Sequence, residues 1–164
     1  MTDLTVWHLQ MEDASALNAK SQPEELQLRE AEIKQYQLNR FLYQLVGQAW
    51  AWNDKNSWSD AMWRDYAEAD NLRTWVAWCQ GAPAGYFELG RQSDGAVEIC
   101  YFGLAGKFIG RGFGGYLLSA ALEQAWQWQA SRVIVNTCSL DHPSALANYQ
   151  ARGMVIYKTE TNSA

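Results

Sequence analysis

Gly110, Gly112, Gly114 and Gly115 fall within six consecutive positions, Gly-Arg-Gly-Phe-Gly-Gly. Glycine at that density costs conformational entropy that only a special backbone geometry justifies. Without Cβ atoms the main chain can be approached closely, and successive N–H groups can converge on an anion. A helix beginning there adds its unpaired N–H groups and the positive end of its dipole. The stretch reads as a diphosphate cradle, with Lys107 and Arg111 supplying positive charge. Gly110, Gly112 and Gly115 also fit the G-x-G-x-x-G dinucleotide fingerprint. Only about fifty residues follow them, too few for the further βα units of that fold. No Gly-Lys-Ser/Thr follows the glycines, which excludes the nucleoside-triphosphate loop.

Such a cradle needs a strand before it and a helix after it. Val97–Leu104 is a run of β-branched, aromatic and aliphatic residues suited to a strand buried on both faces. After Tyr116 the period changes: Leu117, Leu118, Ala121, Leu122 and Ala125 share one helical face, opposite Ser119, Glu123, Gln124 and Gln127. Upstream, residues 4–10 alternate as a strand, and the chain breaks around Pro23. A helix is expected to follow, carrying Leu38, Phe41, Leu42, Leu45, Val46 and Ala49. Residues 50–58 compose a loop, and Ser59 with Asp60 can cap a helix reaching about residue 70 with Met62 and Tyr66 inward. Residues 73–79 and 84–89, joined by a turn at Gly81 and followed by one at Gly95, complete a three-stranded meander with Val97–Leu104. A strand over 132–138, a helix opening at Asp141 or His142 and stopping at Gly153, and a strand over 154–159 finish the chain. The order β-α-α-β-β-β-α-β-α-β predicts an α/β fold of the α+β type. Its sheet would be mixed, mostly antiparallel and of about six strands, with helices on both faces.

The segment Ile109-Gly-Arg-Gly-Phe-Gly-Gly-Tyr-Leu-Leu resembles the acetyl-CoA signature of the GNAT superfamily of N-acetyltransferases, Gln/Arg-x-x-Gly-x-Gly/Ala before a hydrophobic helix start. Gly112 and Gly114 occupy its two small positions, and Ile109 stands where Gln or Arg is expected. A second block, His142-Pro-Ser-Ala-Leu-Ala-Asn-Tyr-Gln-Ala-Arg-Gly-Met, resembles the family's Asn-x-x-Ala-x-x-x-Tyr-x-x-x-Gly-Phe helix. Ala145, Tyr149 and Gly153 match it, while His142 replaces Asn and Met154 replaces Phe. The element order is the family's as well. The resemblance implies a GNAT-like domain over residues 1–164, bacterial in type, with acetyl-CoA as co-substrate and no metal. The cofactor would run past Phe102, Gly103 and Leu104 and along Ile109, Gly110, Arg111, Gly112, Phe113, Gly114 and Gly115. It would also meet His142 and Ala145, although His142 reads equally as a helix cap.

Acetyl transfer to an amine poses two proton problems and one charge problem. An alkylamine with a pKa near ~10.4 is protonated at pH 7, and removing that proton costs roughly 4 to 5 kcal/mol. The attacked carbonyl oxygen becomes anionic and needs N–H donors, and the leaving thiolate gains from a proton donor. By the resemblance, backbone N–H groups near Phe102 to Leu104 would hold the oxygen, Tyr149 would face the sulfur as general acid, and Glu98 would act as base. Glu98 reads equally as the ion-pair partner of a neighbour such as Arg132, because a carboxylate on an apolar strand is costly unless paired. For Tyr149 the other reading is helix packing. Trp50, Trp52 and Trp58 cluster at the polar loop that borders the acceptor pocket in this family. They are candidates for an aromatic wall around the acceptor, or for packing.

The remaining composition mostly excludes. A chain of 164 residues with 48% hydrophobic content is about one domain with a real core. A net charge of −5 argues against nucleic acid and favours cationic partners, and the resemblance implies a small-molecule or peptide amine as acceptor. No apolar run reaches the ~18 residues of a membrane span, and Met-Thr-Asp-Leu at the start is unlike a signal peptide, so the cytoplasm is expected. Cys79, Cys100 and Cys138 are odd in number and widely spaced, which favours buried thiols over a disulfide or metal site. No cysteine has a nucleophile's setting, which favours direct attack in a ternary complex. The competing readings are a non-catalytic acyl-CoA-binding module and a plain interaction domain. GNAT members often dimerise, and a homodimer stays open.

Overall fold

The computed structural model describes residues 3–50 and 52–163. Seven strands form one sheet: β1 (Asp3–Met11), β2 (Leu26–Glu30), β3 (Leu72–Cys79), β4 (Ala82–Arg91), β5 (Val97–Leu104), β6 (Val133–Cys138) and β7 (Val155–Ser163). The helices are α1 (Tyr36–Gly47), α2 (Asp60–Ala67), α3 (Phe113–Gln127) and α4 (Ala145–Ala151). The sheet runs β2-β3-β4-β5-β6-β1-β7, and every neighbouring pair is antiparallel except β5 with β6. No helix among the described residues is long and apolar enough to cross a membrane.

The expected mixed sheet is present with one strand more than the sequence suggested. β2 falls where only a break and a helix were expected. Only Leu26 and Leu28 turn inward on its five residues, so its alternation is short and its charge high. What fixes it is its partner: β2 pairs along β3, and Arg73 grips Glu30 through Nε–Oε2 at 2.9 Å and Nη2–Oε1 at 2.7 Å. Such an edge strand is specified by tertiary pairing more than by local pattern.

One face of the sheet is covered by α3, whose Leu117, Leu118, Ala121, Leu122 and Ala125 join Leu9, Phe87, Val97, Ile99 and Val133 in the main core. Ser119, placed on the solvent side by its polarity, is in fact 1% exposed. Its hydroxyl donates to the Gly115 carbonyl and accepts the Lys20 N–H at 2.8 Å, which pins the β1–β2 linker to the helix. The other face is covered by α1 and α2. Ser59 caps α2 as expected, its Oγ accepting the Met62 N–H at 3.2 Å. The inward residues of α2 are Trp63 and Ala67 rather than Met62, which is 47% exposed, and the helix ends at Ala67. On α1, Phe41 likewise turns to solvent while Tyr36, Asn39 and Tyr43 turn in.

Candidate active site

Two irregularities in β5 make the site. Glu88 lies opposite Tyr101 and Leu89 opposite Ile99, so Cys100 has no partner across the β4–β5 ladder and forms a bulge. The extra residue resets the alternation: Ile99, Phe102 and Leu104 pack on the α3 side, whereas Cys100 and Tyr101 pack on the α2 side. β5 and β6 pair in register only at Val97–Val133 and Glu98–Ile134. Beyond that point parallel strands joined through α3 splay apart. The gap opens into a cleft of about 1010 Å³, with residues 99–104 of β5 on one wall and residues of β6 on the other. The first turn of α3, residues of α4 and β1, and Trp50, Trp52, Asn53 and Asp54 also line it.

At one end of the cleft lie the glycines. Gly110 has φ +88° and Gly112 φ +81°, both in the left-handed region, and Gly112 is the N-cap of α3 with no side-chain cap. No loop bond among the described residues takes up the N–H groups of Gly110, Arg111 or Gly112. Phe113 and Gly114, in the first helical turn, have no intrahelical acceptor. An ideal Cβ at Gly110 or Gly112 would meet no atom within 4 Å, so it would project into open space. These N–H groups thus have no partner among the described residues and border open space.

Of the residues singled out in the sequence, Phe102, Gly103, Leu104, Ile109, Gly110 and Gly112 all line the cleft. So do Phe113, Gly114, Gly115, His142, Ala145 and Tyr149, together with Trp50 and Trp52. Tyr149 is 6% exposed, its ring 6.1 Å from that of Phe102. Burial first, then the negative charge of Asp141, pushes its pKa well above the ordinary phenol value. His142 is not the helix cap expected of it: α4 opens at Ala145 with Ser144 as its N-cap and no side-chain cap, while His142 Nδ1 accepts the Ser144 N–H at 3.0 Å and the ring meets Trp50 edge-on at 4.8 Å.

Three expected residues fall outside. Glu98 sits where β5 and β6 are still paired, in a separate hollow beside Gly90 and Gln92, and Gln92 Nε2 donates to it at 3.4 Å. The side chain is removed from the cleft because the strands part only beyond it. Arg132 is not its partner but donates to Gln10 Oε1 at 2.9 Å. Arg111 turns outward, lying over the Phe108 and Phe113 rings and 3.7 Å from Glu25. Trp58 packs against Trp63 and Tyr66 on the α2 side.

Polar groups gather where residues of the 50–58 loop meet α1 and β5. The Tyr101 hydroxyl donates to Asp54 Oδ2, Tyr43 donates to Asp54 Oδ1 at 3.3 Å, and Lys55 Nζ donates to Tyr101 at 2.8 Å. The Lys55 ammonium is held among the Trp58, Tyr66 and Tyr101 rings at 4.5, 4.9 and 4.6 Å from their centroids. Partial burial opposes ionisation of Asp54, but the Tyr101 hydrogen bond and the Lys55 charge outweigh it and hold its pKa below the usual carboxylate value. Behind this group, 1% exposed, Glu88 accepts hydrogen bonds from Tyr66 and, at 2.8 Å, from Asn39. Burial raises its pKa, although both bonds act the other way. Two further cations reach the cleft, Lys20 and Arg152. Arg152 precedes Gly153 in the second block, a place where composition alone gave no reason to look.

The description of the acetyltransferase (GNAT) family matches residues 27–154. The chain belongs to that family. Membership places it among the transferases, in a family whose co-substrate is acetyl-CoA. No curated protein sequence matches the chain. Among solved structures it is similar to a GCN5-related N-acetyltransferase from Kribbella flavida, with 15% identity and TM-score 0.71 over 97% of this chain and 58% of that one. A second, from Sphaerobacter thermophilus, gives 14% identity and TM-score 0.74 over 96% of this chain and 50% of that one. An IAA acetyltransferase from Bacillus cereus gives 23% identity and TM-score 0.60 over 81% and 79%. The chain thus spans about half the length of the first two structures, and at these identities the likeness is one of fold.

Proposed function

We propose that this GNAT domain moves the acetyl group of acetyl-CoA to a primary amine by direct attack in a ternary complex. The observation that carries the reading is a single cleft joining the free glycine amides at the start of α3 to a mouth walled by Trp50, Trp52 and Tyr101. Its fit to the cofactor rests on the same features: unbonded N–H groups, open space where Cβ atoms would stand, and a length of unpaired β5 edge between the two ends. When bound, acetyl-CoA supplies an acyl group already activated as a thioester.

The chain's own residues do the rest. Main-chain N–H groups of Gly110 to Gly114 hold the diphosphate, and the free edge of β5 at residues 102–104 offers N–H donors to the developing oxyanion. Asp54, held ionised, attracts the ammonium form of the acceptor to the mouth. With its lowered pKa it is a weak base, so it acts by attraction and the amine's proton leaves towards solvent. The nitrogen then bonds to the carbonyl carbon as the carbon–sulfur bond breaks, the second proton of that nitrogen passes through solvent to the departing sulfur, and the Tyr149 phenol hydrogen-bonds that sulfur as it leaves. Its raised pKa keeps that phenol protonated through the step. We infer one catalytic unit over residues 1–164 acting in the cytoplasm, a location supported by three unpaired cysteines.

The position of Glu98 outside the cleft favours one second reading, a domain that holds acyl-CoA without processing an acceptor. Thiol release from acetyl-CoA over a panel of alkylamines, amino acids, aminoglycosides and peptides separates the two. Saturable, amine-dependent release is expected. Calorimetric CoA binding with no release from any amine would leave only the binding module, and no binding would remove both.

A further inference from the structure

Arg152 is 5% exposed, lines the cleft, and has neither Nε nor Nη1 hydrogen-bonded to any group among the described residues. None of the ion pairs among those residues includes it. An uncompensated guanidinium so deeply buried is costly, and folds retain such a charge where something else supplies the counter-ion. Its position says what that is. An ideal Cβ at Gly115, in the first turn of α3, would lie 2.8 Å from Arg152 Nη1 and 2.8 Å from Lys20 Cδ. The guanidinium is thus packed against the helix end whose N–H groups are free, and Lys20 reaches the same turn from the linker pinned by Ser119. Meanwhile Ile109 offers no polar atom where the family's signature has Gln or Arg, and Arg111 faces away.

We infer that Arg152, flanked by Lys20, pairs with a phosphoryl group of the bound cofactor and supplies from α4 the cationic contact that the loop lacks at position 109. The inference rests on the proposed cofactor reading and adds a site residue to it. The lack of a side chain at Gly115 is part of the same device, since a Cβ there would displace the guanidinium. A charged donor to a phosphate outweighs a neutral one, and its loss is expected to weaken binding about tenfold or more.

The test is calorimetric affinity of wild type, Arg152→Met, Arg152→Lys and Lys20→Met for CoA and 3′-dephospho-CoA, with the melting temperature of each ligand-free protein. Arg152→Met is expected to lose about tenfold in CoA affinity while melting at the same temperature or higher, because it removes a buried unpaired charge. Arg152→Lys should fall between, and Lys20→Met, on the exposed flank, should lose less. Equal losses for both ligands assign the contact to the diphosphate, and a loss confined to CoA assigns it to the 3′-phosphate. Arg152→Met with CoA affinity within twofold of wild type overturns the inference, and a lower ligand-free melting temperature would then mark Arg152 as structural. Absence of CoA binding by wild type would instead overturn the cofactor reading and this inference with it.

Discussion

At the scale of single residues, the site is built from groups that are absent or restrained as much as from groups that react. Gly112 leaves space where any other residue would place a Cβ, and it does so at φ +81°. Gly112→Val should therefore weaken CoA at least about tenfold by calorimetry and lower the melting temperature through backbone strain of roughly 1–3 kcal/mol. An unchanged Kd would contradict the cradle. Tyr149 lines the cleft beside Phe102 and is buried among core side chains. Tyr149→Phe keeps the ring's packing and deletes only the hydroxyl. A fall in kcat of about a hundredfold with CoA affinity unchanged is the expected result, and full kcat would remove the hydroxyl from the mechanism. Asp54 and Glu88 are both carboxylates on the α1–α2 side of the sheet, yet hydrogen bonds from Tyr101 and the Lys55 charge win at the first and desolvation wins at the second.

At the scale of elements, the cleft exists because β5 carries one residue too many and leaves β6 after two paired positions. The bulge at Cys100 and the splay beyond Glu98 are features of pairing, which depends on strands distant in sequence. Glu98 sits on the strand where the resemblance sought a base, but at its closed end. The hinge between α4 and β7 is the tightest joint of this half. Gly153 has φ +110°, and an ideal Cβ there would lie 2.1 Å from the Ala16 carbonyl oxygen. Gly153→Ala should cost more than about 2 kcal/mol in urea denaturation. Wild-type stability in that variant would mean the linker at Ala16 gives way freely.

At the scale of the whole molecule, a net charge of −5 coexists with a cleft that we propose binds a polyanion. Lys20, Arg152 and the α3 dipole concentrate positive potential where it is needed, and the rest of the surface carries the acidic excess. Since the cofactor binds only the folded chain, CoA at a hundred times its Kd should stabilise it by about 2.7 kcal/mol, readable as a thermal shift. No shift would speak against any CoA-binding reading. Glu88 links the fold to pH. Its pKa is raised in the folded chain, so the native state holds that proton more tightly than the unfolded one. The favourable contribution is complete below the unfolded value near ~4.3 and is lost as pH rises through the folded value. Glu88→Gln should therefore gain in stability relative to wild type between pH 4 and pH 7, by urea denaturation at each pH. A constant difference would refute the burial effect.

The sequence by itself determined the family, the glycine run, the helix that follows it and most of the strands and helices, because each signal is written within ten or fifteen consecutive residues. The tertiary structure decided what no local stretch encodes. It showed that β2 is a strand, that Glu98 and Trp58 stand outside the cleft, and that Asp54 and Tyr101 meet across the loop. It also brought Arg152 from α4 to the start of α3. Burial, strand register and charge pairing all depend on neighbours brought together by folding, and those neighbours are far apart along the chain.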